Sequence, residues 1–247
     1  MKSLLLLTMV VLVIFVPACS CTVGDNGQAV ETFSYKDDFA SLDKDFWSVL
    51  TWVTLEDANT QVSINQGILS VEATVVDRVP FLLSRPIAIS SGDIVTIERK
   101  VKLDYGNPYF DGALFILGAE DETVEVFPGS AGWNENIRDY KVVVNYLYYQ
   151  YEPDNKPTTD GFVLRAESTD GTPYIVSQSI FGEWFTEKLT WDTASGQVTY
   201  EYNGTTLTGT VSPLDKDYIR IMLHCYGWYT GHSMDMEYFY ITVSSPD

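Results

Sequence analysis

The chain predicts an all-β sandwich or jelly roll, and three observations carry that reading. Apolar segments that alternate with polar residues, or are rich in β-branched and aromatic ones, recur from Val62 to Val243. Short turns bearing Gly, Asn or Asp separate them. No stretch keeps a helical period over three turns. Many short strands punctuated by such turns build two packed sheets.

The elements follow in order. Val62 to Val71 is two short strands hinged at Asn65-Gln66-Gly67, with Gly67 placed for a tight turn. Ile94 to Leu103 alternates apolar and polar residues, as a half-buried strand does. Ala113 to Leu117 is continuously apolar and suits a strand covered on both faces. Lys141 to Tyr149 is β-branched and aromatic. Trp184 to Trp191, Gln197 to Tyr202 and Thr206 to Val211 form a meander, turning at Ala194-Ser195-Gly196 and at Asn203-Gly204. Ile219 to Trp228 and Met236 to Val243 complete the set. Asn203-Gly204-Thr205 matches a glycosylation sequon and is more simply a hairpin turn.

The amino terminus is different in kind. Lys2 precedes an apolar run from Leu4 to Val16, broken only by Thr8, and Val16-Pro17-Ala18-Cys19 follows. A charged start, an apolar middle and a small residue before a cysteine read as an export signal. The run is too short to span a bilayer, which needs about 20 residues. The Ala18-Cys19 junction resembles a bacterial lipobox. That resemblance implies residues 1–18 as signal peptide and Cys19 as the lipidated residue anchoring the chain to a membrane. Pro17 leaves ordinary secretory cleavage as the alternative. Ser20, which is not an aspartate, favours the outer membrane where there is one. Residues 19–32 are polar and aperiodic and read as a tether, so one domain is expected over 33–247.

Composition narrows the partners. The net charge is −19, which argues against nucleic acid and anionic membrane surfaces and suits neutral or cationic ligands, a metal ion, or plain solubility. A hydrophobic content of 45% excludes disorder. The three cysteines make no cross-linked framework, and Cys225 reads as a buried small hydrophobe. A monomer is expected.

The order of segments resembles the concanavalin A-like jelly roll, specifically the glycoside hydrolase family 16 arrangement. Carrying the resemblance are Asp38-Phe39 with Leu42 to Trp47, the turn Asn65-Gln66-Gly67-Ile68-Leu69, Ile94 to Leu103, and Gly112 to Gly118. Val143 to Tyr146, Trp184 to Asp192 with its hairpin, and Met236 to Ile241 extend it over nearly the whole body.

The family's catalytic strand carries E-x-D-x-E or a bulged E-x-D-x-x-E. The matching stretch here is Asp121 to Phe127. Glu122 fits the nucleophile slot, while Val124 and Val126 fill those of the assisting aspartate and the acid/base. Retaining hydrolysis needs two carboxyl groups roughly 5–5.5 Å apart, and in a regular strand Glu125 points away from Glu122. A bulge would bring Glu125 round. The bland reading, solvated carboxylates, is preferred. The chain is therefore expected to bind glycan without a complete hydrolytic pair. A hydrolase or transglycosylase acting on a β-linked polysaccharide through Glu122, and a structural or protein-binding domain, are the alternatives.

Sugar sites combine aromatic faces with amides and charged groups. Alternation puts Met222, His224, Tyr226 and Trp228 on one face of their strand and Ile221, Leu223 and Cys225 on the other, the core. By the resemblance, the first face lines a concave cleft, Asn145 matches a cleft amide, Arg85 a cleft arginine, and Trp133 stands in a loop above. Each aromatic has core packing as its alternative. His232 reads as an exposed loop residue, and two histidines without cysteine spacing make no zinc site. The resemblance also implies a structural calcium on the convex side, held by Asp38, Gly67 and Glu237 with Asp235 beside it; oxygen donors suit that ion, and ordinary surface acids are the alternative.

Overall fold

The computed structural model describes residues 30–51, 62–73, 80–104, 109–118, 140–149, 161–166, 174–177, 181–226 and 232–246. The described residues are almost entirely strand. In chain order these are β1 (Val30–Asp37), β2 (Trp47–Thr51), β3 (Val62–Asn65), β4 (Ile68–Ala73), β5 (Pro80–Ser84) and β6 (Ile87–Ala88). They continue with β7 (Ile94–Asp104), β8 (Tyr109–Leu117), β9 (Tyr140–Tyr149), β10 (Gly161–Ala166) and β11 (Tyr174–Ser177). The last are β12 (Phe185–Asp192), β13 (Gln197–Tyr202), β14 (Thr205–Thr210), β15 (Tyr218–Tyr226) and β16 (His232–Ser245). No described helix is long and apolar enough to cross a membrane.

Two antiparallel sheets stack. The first runs β14-β13-β12-β7-β16-β4-β3, with β1 also on β16; the second runs β11-β10-β9-β8-β15-β5-β2, with β6 on β15. The predicted sandwich is thus present. The core lies between them. Val95, Ile97, Val101 and Leu103 project from β7, Leu189 and Trp191 from β12, and Phe239, Ile241 and Val243 from β16. Opposite stand Leu114 and Ile116 from β8, Val142 and Val144 from β9, and Ile221, Leu223 and Cys225 from β15. Cys225 is free and buried, as expected.

Local sequence explains the tight hairpins. Gln66 and Gly67 have φ of 53° and 77°, and Asn203 and Gly204 have 42° and 78°. Two successive positive φ values make the turn whose twist matches paired strands, and Asn and Gly reach that region most readily. The turn after β12 instead uses Asp192, whose Oδ1 accepts the amides of Ala194 and Ser195 at 2.9 and 3.1 Å.

β16 is the longest strand and pairs with β7 on one edge. Its other edge is divided: β4 covers His232–Met236 and β1 covers Phe239–Ser245. A bulge at Glu237 separates these halves, since Met236 faces Val101 and Tyr238 faces Lys100. The extra residue shifts the alternation, so Met234 and Met236 point inward before it and Phe239, Ile241 and Val243 after it. Two details differ from the sequence reading. β1 begins at Val30, and the Thr32 hydroxyl donates to the Val243 carbonyl at 3.2 Å, so the last three residues of the expected tether are strand. His232 is no exposed loop residue: it opens β16 opposite Ala73 and is fully buried, because the strand starts four residues before Met236.

Candidate functional site

β15 sits between β8 and β5 and is covered on both faces. Ile219, Ile221, Leu223 and Cys225 join the core, and Arg220, Met222 and His224 are buried on the opposite face. The register builds a row across the second sheet. Asn145 on β9 stands against Ala113 on β8, Ala113 against His224 on β15, and His224 against Phe81 on β5. Directly opposed residues share a face. Val144 and Tyr146, which flank Asn145 along β9, both belong to the core. Asn145 and His224 are thus two strands apart, about 10 Å between Cα atoms, with only an alanine between them. Tyr226 lies two register positions beyond His224, opposite Asp111.

His224 is 1% exposed, and burial pulls its pKa down to about 3. It is a neutral imidazole at physiological pH, able to donate from one nitrogen and accept at the other. Arg85 is elsewhere. It follows the end of β5, is exposed, and places its guanidinium 5.9 Å from the Phe46 ring centroid, while its amide donates to the Phe46 carbonyl at 2.8 Å. It lies four residues along the chain from Phe81, at the sheet's end. Glu122, Glu125, Trp133, Trp228 and Cys19 lie outside the described residues.

The implied calcium ligands converge in part. The backbone carbonyl of Asp38 lies 3.7 Å from where a Cβ on Gly67 would stand, so β1 and the β3–β4 turn meet there. The acids already have partners: Asp235 Oδ1 accepts the Ser70 hydroxyl at 2.6 Å, and Glu237 is ion-paired with Lys100. The Lys100 ammonium is the cation that Glu237 holds. Among the described residues no group of three or more His, Cys, Asp or Glu is arranged to hold a metal.

A second polar cluster lies inside the sandwich. Arg99 on β7 and Glu187 on β12 are direct cross-strand partners, and the guanidinium Nε donates to the carboxylate. The Tyr200 hydroxyl on β13 donates to the same carboxylate, and the Tyr146 hydroxyl reaches both its oxygens at 2.6 and 2.7 Å. Arg99 also donates to the Tyr146 oxygen, and its Nη1 lies 3.6 and 3.7 Å from the sulphurs of Met234 and Met236. All four polar residues are at most 2% exposed. Burial raises both tyrosine pKa values well above normal, with the Glu187 charge adding to it. For Arg99, burial opposes the charge, and Glu187 with Tyr146 outweighs it, so the pKa is raised. The sequence carried a signal for this cluster. Arg99 and Glu187 each occupy an inward phase, in the series Ile97-Arg99-Val101 and Phe185-Glu187-Leu189.

These two sheets, their strand order and the covered central strands define a concanavalin A-like jelly roll, the fold that the order of segments implied. Similar solved structures include peanut lectin with a nine-residue peptide, at 16% identity and TM-score 0.64, covering 85% of this chain and 97% of that one. The lectin from Bauhinia forficata in complex with GalNAc is similar at 12% identity and TM-score 0.63, covering 88% and 100%. An endo-1,3-beta-glucanase from Streptomyces sioyaensis is similar at 12% identity and TM-score 0.60, covering 92% and 100%. No protein-family model and no curated protein matches the chain.

Proposed function

We propose that this domain binds a polysaccharide or oligosaccharide on the face of its second sheet that looks away from the core. The cross-strand row Asn145–Ala113–His224–Phe81 carries the reading. The register puts Asn145, an amide able to exchange hydrogen bonds with hydroxyls, in one cross-strand row with His224, a neutral imidazole that at 1% exposure lies beneath the surface. Its support from outside the chain is that structures of this fold include lectins, one of them with GalNAc, and a glucanase. The valines at 124 and 126 support binding without hydrolysis, because one carboxylate cannot both attack and protonate. The leader supports a chain displayed outside the cytoplasm on a lipid at Cys19.

A structural calcium joins this reading through Asp38, the Gly67 carbonyl and Glu237, with Asp235 beside it. Calcium that displaces Lys100 raises Tm, and Lys100→Met widens that rise; no rise in either protein ends this part of the proposal.

The experiment is incubation of the protein from Val30 onward with a panel including 1,3-β-glucan and galactose-containing oligosaccharides, following both retention and release of reducing ends. Retention without release, weakened tenfold or more by Asn145→Ala, is the expected result. Release abolished by Glu122→Gln would make the chain a hydrolase instead. Neither signal would turn the weight to a protein-binding or structural domain.

A further inference from the structure

The buried cluster is joined to the second sheet through Tyr146. Arg99, Glu187 and Tyr200 all stand on the first sheet, and the Tyr146 hydroxyl reaches Arg99 and Glu187 from β9. Tyr146 is the chain neighbour of Asn145 on β9. Where the Tyr146 hydroxyl is held therefore sets how β9 sits, and with it where Asn145 stands relative to His224.

Apolar side chains packed between sheets resist separation but direct position weakly, because the hydrophobic effect is non-directional. Hydrogen bonds to a buried charge are directional and are lost over a few tenths of an ångström. A buried ion pair adds little net stability over apolar residues of the same size. What it supplies is a fixed geometry. Here that geometry lies beneath the row that the preceding section assigns to sugar.

We infer that the Arg99–Glu187–Tyr200 cluster, acting through the Tyr146 hydroxyl, is a positioning device that fixes where β9 sits in the second sheet, and with it the spacing of Asn145 from His224 across the strands. The inference rests on the glycan reading above only for its affinity readout. Its structural readout needs no ligand.

The test compares Tyr146→Phe with Val144→Ala in the protein from Val30 onward. Val144 is a core residue of the same strand with no tie to the cluster. Both variants lower Tm. Nuclear magnetic resonance follows the side-chain amide of Asn145 and the ring of His224. Tyr146→Phe is expected to shift or broaden both signals and weaken glycan retention at least tenfold, while Val144→Ala leaves both nearly as in the wild type. Equal changes in the two variants would overturn the inference. If the wild type retains no glycan, the glycan reading fails and the resonance comparison still decides positioning. If retention is strong and Tyr146→Phe leaves signals and affinity unchanged, positioning fails and the glycan reading stands. Should Tyr146→Phe not fold, Tyr200→Phe removes a different hydroxyl from the same carboxylate and is read the same way.

Discussion

Arg99 and Glu187 face each other across β7 and β12 with no more than 2% of either exposed. Each sits where its strand otherwise presents Val, Ile, Leu or an aromatic residue to the core. Removing one partner leaves a buried charge, whereas removing both leaves a space that apolar atoms can fill. Glu187→Gln and Arg99→Met should each cost about 3–5 kcal/mol. The pair Arg99→Met with Glu187→Leu should recover much of that loss. Urea unfolding of the three variants checks this, and an additive double variant would mean the two residues do not act as a pair.

Asp37 organises the entry to the domain. Its Oδ1 accepts the Phe39 amide at 2.8 Å, and its Oδ2 accepts the Tyr35 hydroxyl at 2.9 Å and the Trp47 indole at 3.2 Å. Phe39 has φ of 53°, a strained value that the Asp37 bond helps hold. Asp37→Ala strands the buried Trp47 donor and should lower stability by about 2–4 kcal/mol. Asp37→Asn, which keeps one acceptor, should lose less. Thermal melts of both give the order, and equal losses would show that the acceptor is not what matters.

Acid should weaken the fold through its histidines. Burial lowers the His224 pKa to about 3 and also lowers that of His232. Both are then neutral when folded but take up a proton when unfolded below about pH 6.5. The stability they permit is complete above that pH and falls as pH drops, for His224 until about pH 3. At pH 4.5 the His224 share is on the order of 2–3 kcal/mol. Melts of wild type and His224→Gln between pH 4.5 and 7.5 isolate it, because the carboxylates common to both cancel. Parallel curves would contradict the assignment.

Gly196 and Gly204 separate two reasons for a glycine. Both have positive φ, 74° and 78°. A Cβ on Gly196 would stand 1.9 Å from the Val211 carbonyl oxygen, while one on Gly204 meets nothing within 4 Å. Gly204→Ala should cost about 1–2 kcal/mol from backbone conformation alone. Gly196→Ala adds a collision with backbone that cannot swing aside, and the total should be on the order of 3 kcal/mol or more. Urea midpoints for the two variants test the difference.

The strands that were legible in the sequence are those whose signal is local. The turns at Gln66-Gly67 and Asn203-Gly204 name their own geometry, and β7 alternates over its whole length. β5 is short and lacks alternation, and its partners β2 and β15 lie far from it along the chain, so no window of sequence contains them; β10 and β11 pair with each other, but they are short and carry no alternation to announce it. The bulge at Glu237 is likewise settled by how β16 meets β7, so strict alternation misplaces every side chain beyond it. Of the candidate site, the facing of Ile221, Leu223 and Cys225 toward the core was readable from period two. That Asn145 and His224 share a row, with Ala113 between, required the register. The inward phase of Arg99 and Glu187 was visible, but a charge among apolar residues gains its meaning only when its partner on the next strand is known.

The divided edge of β16 has a consequence for anyone shortening this protein. Among the described residues, β1 is all that covers Phe239–Ser245 on that side. A chain trimmed to begin after Asp37 would uncover that edge of Phe239–Ser245, where every second residue turns its N–H and C=O away from β7, in an apolar strand. That is a template for a second molecule. Such a product should associate edge to edge, and a binding assay on it would report avidity between aggregated copies in place of the affinity of one domain.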